Sequence, residues 1–166
     1  MYHHTLDIEP RGERDLVMTR RFDAGKALVF RALTEPHLVK RWLLGPDGWI
    51  LKVCEIDLRV GGAYRYVWRH TEREDEMGMG GTYLDIDRPD RIVHSEIFDE
   101  SWYPGTAVIT TRLSEKEGVT TFEATITYET AEARDLVAAS PMKDGAGASY
   151  DRLDGVLADL VAETAE

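Results

Sequence analysis

The chain has one cysteine, Cys54, in 166 residues. A lone thiol excludes an intramolecular disulfide and any multi-cysteine zinc site. No run approaches the roughly 20 apolar residues that cross a bilayer. The opening Met1-Tyr2-His3-His4-Thr5-Leu6-Asp7 lacks a basic stretch followed by an apolar one, so no secretory leader is expected and the expected compartment is the cytoplasm. Basic residues are also few. Twenty Lys and Arg stand against 31 Asp and Glu, a formal net charge of −11 at pH 7. A surplus of that sign repels polyphosphates and anionic lipid surfaces. Affinity for nucleic acid rests on Lys and Arg neutralising phosphates. Nucleic acid and membrane are therefore not expected as partners. Internal repeats, low-complexity tracts and long linkers are lacking too. Residues 1–166 read as one domain, with a core over about 14–162.

Hydrophobic residues make up 43% of the chain, enough for a packed core. Residues 14–22 alternate, with Leu16, Met18 and Arg20 on one side and Val17 and Thr19 on the other, which predicts a strand. Asp23 is placed to cap a following helix through its carboxylate, and Ala27, Phe30 and Leu33 recur at helical spacing. Pro36 interrupts that helix, and a second short one is expected over 37–43. Strands are then predicted over 51–58, 63–70, 80–87, 91–98, 106–113 and 119–128, with 71–77 as a charged hairpin loop. The last third returns to helix. A short one is expected over 131–139, stopped by Ser140-Pro141, and a long one over about 143–161. In the long helix Tyr150, Leu153, Val156, Leu157 and Leu160 form one apolar stripe, while Asp151, Arg152 and Asp154 fall elsewhere.

One antiparallel sheet has a face to bury, and the long helix has a stripe to bury. Packing one on the other gives an α+β domain. A sheet of about seven strands is expected to wrap around the C-terminal helix, with two short helices after the first strand. A curved sheet around a straight rod often leaves a cavity between them, which periodicity alone does not reveal.

Several segments resemble the Hsp90-ATPase-activator-homologue branch of the START-like (SRPBCC, helix-grip) superfamily. They are Arg21-Phe22-Asp23-Ala24, the run from Val29 to Pro36, Arg41-Trp42 with Gly45-Pro46, and Cys54-Glu55-Ile56-Asp57-Leu58-Arg59-Val60-Gly61-Gly62. Gly80-Gly81-Thr82-Tyr83, Pro89-Asp90-Arg91-Ile92-Val93, Ala131-Glu132-Ala133-Arg134-Asp135 and Ser149-Tyr150-Asp151-Arg152-Leu153 continue the match. The resemblance is collinear over about 14–160. It implies the helix-grip fold and a ligand-binding domain, with no shared catalytic set to carry over. The eukaryotic co-chaperone behind the family's name has an additional Hsp90-binding domain, which these 166 residues are too few to include, so Hsp90 activation is not expected of them. Where relatives often have a second Trp after Trp42, this chain has Leu43, which alters the pocket mouth. The resemblance, with the edges that an antiparallel sheet must protect, also leads us to expect a homodimer.

Chemistry-bearing residues concentrate in a few strands. Tyr64, Tyr66, Trp68 and His70 share one strand face, and Arg65 and Arg69 the other. Arginines prefer water, so the aromatics are expected inside. They serve either as a plain core stripe or as the wall of a pocket for a ring-containing ligand. Phe122, Ala124, Ile126 and Tyr128 make a second apolar face, opposite Thr121, Glu123, Thr125 and Thr127. Expected ligand-contacting residues are Trp42, Tyr64, Tyr66, Trp68, Phe122, Tyr150 and Leu153. His94 and Glu96 share a face and could do acid–base work if inward. The opposite partition, Val93, Ser95 and Ile97 inside, is at least as apolar, so His94 and Glu96 are expected outside. Cys54 reads as a small packing residue. Adjacent His3 and His4 do not converge on one ion. Gly78, Gly80 and Gly81 lack the following helix of a phosphate loop and read as a bulge or bend.

No nucleophile–base motif, metal cluster or cofactor motif stands out, so no metal or cofactor is expected. The leading expectation is a binder of a small apolar or aromatic ligand. The alternatives are a cyclase- or hydrolase-type enzyme acting on a polyketide-like substrate, supported by His70, His94, Glu96 and the tyrosines, and a protein-interaction module of chaperone-partner or stress-response type.

Overall fold

Gly12, at φ 58°, reverses the chain between β1 (Asp7–Arg11) and β2 (Asp15–Phe22) in the computed structural model, which describes residues 4–164. Strand β1 makes the sheet eight-stranded, one more than the sequence predicts. Its residues Asp7-Ile8-Glu9-Pro10-Arg11 are almost all exposed. Such an edge strand carries no alternation to read, and it tolerates a proline.

Two short helices follow, α1 (Lys26–Thr34) and α2 (Pro36–Trp42). Asp23 does not cap α1. The helix starts at Lys26, too late for Asp23, and the Lys26 amide donates to Glu115 Oε1 at 2.7 Å. The Asp23 carboxylate instead lies 3.0 Å from His4 Nε2. His3 lies outside the described residues. Proline at the first position of α2 loses no helical hydrogen bond and is set for helix.

The meander comprises β3 (Trp49–Ile56), β4 (Ala63–His70), β5 (Glu76–Asp87), β6 (Arg91–Phe98), β7 (Ala107–Lys116) and β8 (Val119–Thr127). Strand β5 begins at Glu76, inside the stretch expected to be loop. All neighbours pair antiparallel in the order β1-β2-β8-β7-β6-β5-β4-β3, so an N-terminal strand zips to the last one. Register shifts at Leu51/Val53 in β3 and Tyr83/Asp85 in β5 increase local twist and bending.

Helix α3 (Ala131–Ala138) is capped by Thr130, which accepts from the Ala133 amide at 3.0 Å. Helix α4 (Met142–Thr164) lies along the concave face. Its residues Leu153, Val156, Leu157 and Leu160 are buried on the predicted stripe. Arg20, on the same face of β2 as Leu16 and Met18, is also buried. Its guanidinium donates to Asp151 Oδ1 at 2.8 Å and to the Asp154 carboxylate, which fixes α4 against the sheet. Among the described residues no helix is long and apolar enough to cross a membrane.

Candidate functional site

Inward-facing positions of the sheet, the α1–α2 corner and the first turns of α4 enclose a cavity of about 320 Å³. From β4 come Tyr64 and Tyr66, both buried. Their alternation with Arg65, which pairs with Asp99 on the outer face, holds the rings inside. From β8 come Phe122, Ala124 and Ile126, with Tyr128 just beyond. Tyr150 of α4 stacks on Trp42 at 5.6 Å and 27°, and meets Phe122 at 5.2 Å. The Trp42 indole is anchored by donation to the Ala32 carbonyl at 2.8 Å. These contacts make one rigid aromatic wall.

The polar end of the cavity comes from β6. The sequence partition placed His94 and Glu96 outside, and the structure overturns it. Ile92, His94, Glu96 and Phe98 face the cavity, while Ile97 is 48% exposed on the convex side. Register decides this. His94 lies opposite Ile109, and Glu96 opposite Ala107. Directly opposed residues share a face, and both partners are buried in the core. The sequence signal was weak but present: Ile92 and Phe98 bracket the two polar residues on the same face.

A break in the ladder shapes this end. Strands β5 and β6 pair at Gly80–Ile97 and again at Tyr83–His94, with nothing paired between. Here the Tyr64 hydroxyl reaches past Gly81, its partner on β5, and donates to the Ser95 carbonyl at 2.6 Å. Ser95 Oγ accepts the Thr82 amide at 2.9 Å. A Cβ on Gly81 would lie 2.0 Å from the Ser95 oxygen, so glycine is required for this close approach. Gly78, Gly80 and Gly81 thus serve sheet geometry.

His94 Nδ1 lies 3.0 Å from the Tyr64 hydroxyl oxygen. The Tyr64 proton is already committed to Ser95, so its oxygen accepts from Nδ1–H. That leaves Nε2 of the neutral ring without a proton. Burial lowers the His94 pKa and keeps the imidazole neutral. Glu96 Oε1 accepts from the Tyr103 hydroxyl at 3.2 Å. Burial pushes the Glu96 carboxyl up to about 7, partly offset by that hydrogen bond. Its remaining accessible surface faces the cavity. Burial likewise raises the pKa of Tyr64, Tyr66, Tyr103, Tyr128 and Tyr150, and the Glu96 charge raises each further. Glu96 and these tyrosines share the cavity lining, with Tyr103 in direct contact with the carboxylate. The hydroxyls of Tyr66, Tyr83, Tyr128 and Tyr150 border the cavity without a hydrogen-bond partner among the described residues.

Of the residues expected to contact ligand, Trp42, Tyr64, Tyr66, Phe122 and Tyr150 line this cavity. Trp68 does not. Its indole donates to the Leu43 carbonyl at 2.8 Å, and it lines an adjoining recess of about 390 Å³ with Leu43, Phe98, Met142 and Tyr150. Leu153 lines neither space and is fully buried under α4. His70 also stands apart, edge-on to Trp49, with Nδ1 accepting the Glu72 and Arg73 amides at 3.1 and 3.2 Å. Cys54 is half-buried, and burial pushes its thiol up to about 11, which leaves it a packing residue. Sequence reasoning missed Tyr103 and Trp102, which sit in the β6–β7 connection. An aromatic pair in a short, otherwise polar connection was the available signal. Among the described residues no cluster of three or more potential ligands could hold a metal ion.

The sequence profile described as Activator of Hsp90 ATPase homolog 1-like protein matches residues 23–158. The chain belongs to this family. Solved structures similar to the chain include a Rhodobacter sphaeroides protein, 34% identical, with a TM-score of 0.87 over 93% of this chain and 99% of that one. A Chromobacterium violaceum protein is 25% identical, with a TM-score of 0.75 over 87% of this chain and 96% of that one. An Aeromonas hydrophila protein described as AHSA1-like shares the fold at 17% identity, with a TM-score of 0.66 over 87% of this chain and 93% of that one. No curated protein matches the chain.

Proposed function

We propose that this family member binds a small, largely apolar, ring-containing ligand between the sheet and α4. One observation carries the reading: a cavity of about 320 Å³ with an aromatic wall and uncommitted hydroxyls. That volume is at the lower end of small-molecule sites, roughly 300–1,000 Å³. Apolar surface removed from water supplies the affinity, and the hydroxyls of Tyr66, Tyr83 and Tyr128 set orientation. Phe98, Met142 and Leu43 border both the cavity and the outer recess, and make a mouth between them. Trp102, 42% exposed, stands at the rim.

The experiment is native mass spectrometry of protein purified from its own host, followed by calorimetry with whatever is retained. A stoichiometric small molecule whose affinity falls at least about tenfold in Tyr66→Leu is the expected result. Unchanged binding to folded Tyr66→Leu would move the ligand elsewhere.

A second reading is favoured by Glu96 alone. A carboxyl poised at about 7 beside a substrate suits general acid–base catalysis at neutral pH. Incubation with the retained molecule separates the two: a binder returns it unchanged, and an enzyme returns a product of different mass or connectivity.

A further inference from the structure

Glu96 is the one carboxylate lining the cavity among the described residues, and no Lys or Arg lines it. Oε1 accepts the Tyr103 hydroxyl hydrogen bond, the one side-chain hydrogen bond to Glu96 among the described residues. His94, with its proton held at Nδ1, adds a second acceptor nearby. Aromatic side chains line the same end of the cavity. Tyr103 meets Tyr128 at 5.2 Å, Trp102 at 5.4 Å and Phe98 at 6.1 Å. The polar end therefore offers acceptors, one of them anionic, inside an aromatic wall with no protein cation to neutralise it.

We infer that the ligand carries a basic nitrogen, taken up as an ammonium against Glu96 and the tyrosine rings around it. The inference rests on the ligand-binding reading above and adds the chemistry of the ligand's polar end. A carboxylate in a water-poor cavity attracts an opposite charge far more strongly than in solvent. Aromatic faces attract the same cation through their quadrupoles. The net charge of −11 draws cations toward the protein at long range. An apolar body with an ammonium end thus matches both parts of the cavity, whereas an anionic end would face Glu96.

The groups around Glu96 fix which charge changes near neutral pH. His94 lies on its own strand, Tyr64 and Tyr66 on β4, Tyr103 in the β6–β7 connection, Tyr128 after β8 and Tyr150 on α4. Arg20 of β2 acts on Tyr150 from beyond it. The tyrosines stay neutral because burial raises their pKa values, and His94 is already neutral because burial lowers its own. The charge that appears near pH 7 is that of Glu96.

The test compares naphthylethylamine with its neutral isostere naphthylethanol by calorimetry on the full chain, above and below the Glu96 transition. The amine is expected to bind at least about tenfold tighter than the alcohol above that transition. The preference should fade as the pH falls through it. Glu96→Gln should abolish the preference, and a near-ultraviolet circular dichroism spectrum unchanged from the natural chain shows that the cavity is still formed. Equal binding of the two probes, or a preference that Glu96→Gln leaves intact, overturns the ammonium site and leaves the apolar cavity standing. Failure of both probes to bind overturns the two readings together. If Glu96→Gln does not fold, the amine-to-alcohol ratio and its pH profile on the unaltered protein decide the matter.

Discussion

Glu96 shows how one buried carboxyl sets the pH behaviour of the molecule. Its pKa rises from 4.5 to about 7 because burial penalises the charged form. Below 4.5 the group is protonated in the folded and unfolded chains alike. Between the two values the folded chain holds the proton more tightly, so stability falls as pH rises. Above about 7 the full penalty applies, roughly 3 kcal/mol at most. Glu96→Gln should therefore be more stable than the natural chain above pH 7 and equally stable near pH 4, as read from urea midpoints. His94 acts with the opposite sign. Its depressed pKa withdraws stability as pH falls below its ordinary 6.5, and it cancels in the comparison of these two proteins. A difference independent of pH would mean that Glu96 titrates normally. Tyr103→Phe removes the bond that stabilises the Glu96 anion, so the transition should move to higher pH, as followed by carbon-13 NMR of the Glu96 carboxyl.

Elements were legible where one face met water and the other met core. The Tyr64-Tyr66-Trp68 face of β4, the Phe122-Ala124-Ile126 face of β8 and the stripe of α4 all emerged from periodicity and all face inward. Strand β1 did not, because an exposed edge has no pattern. Strand β6 misled, because each of its faces mixes apolar with polar residues, and only pairing with β7 chose between them. Two predictions belong to this scale. Leu157→Ala removes a side chain 2% exposed in the α4 stripe and should cost roughly 2–5 kcal/mol in chemical denaturation. An unchanged midpoint would mean that the stripe is not packed. Gly81→Ala places a Cβ 2.0 Å from the Ser95 oxygen, so the backbone there must shift. The expected result is a loss of roughly 1–3 kcal/mol, with displaced amide resonances centred on Ser95 and His94. Resonances unmoved at β6 would show that the approach of β5 is not tight in solution.

The molecule as a whole is a bent sheet closed over one helix, with N- and C-terminal segments joined through β2 and β8. Its cavity belongs to no single element, since β4, β6, β8, α2 and α4 each supply part of the wall. A ligand that binds the folded chain alone must raise its stability with concentration, by about 2.7 kcal/mol at a hundredfold excess over Kd. The melting temperature should therefore climb with the retained ligand, and climb less in Tyr66→Leu, whose tenfold weaker binding leaves about 1.4 kcal/mol at the same ligand concentration.

By itself the sequence determined the order of the helices and of strands β2 to β8, the inward faces of β4, β8 and α4, and the absence of an intramolecular disulfide. These follow from local periodicity and residue chemistry, which act over a few positions. The family resemblance was legible for the same reason, as collinear local motifs. Only the tertiary structure decided the register that turned His94 and Glu96 inward, the glycine-permitted approach that carries Tyr64 to Ser95, and the docking of Tyr150 on Trp42. Those depend on partners far apart in the chain, and periodicity within one strand cannot specify which residue of another strand lies opposite.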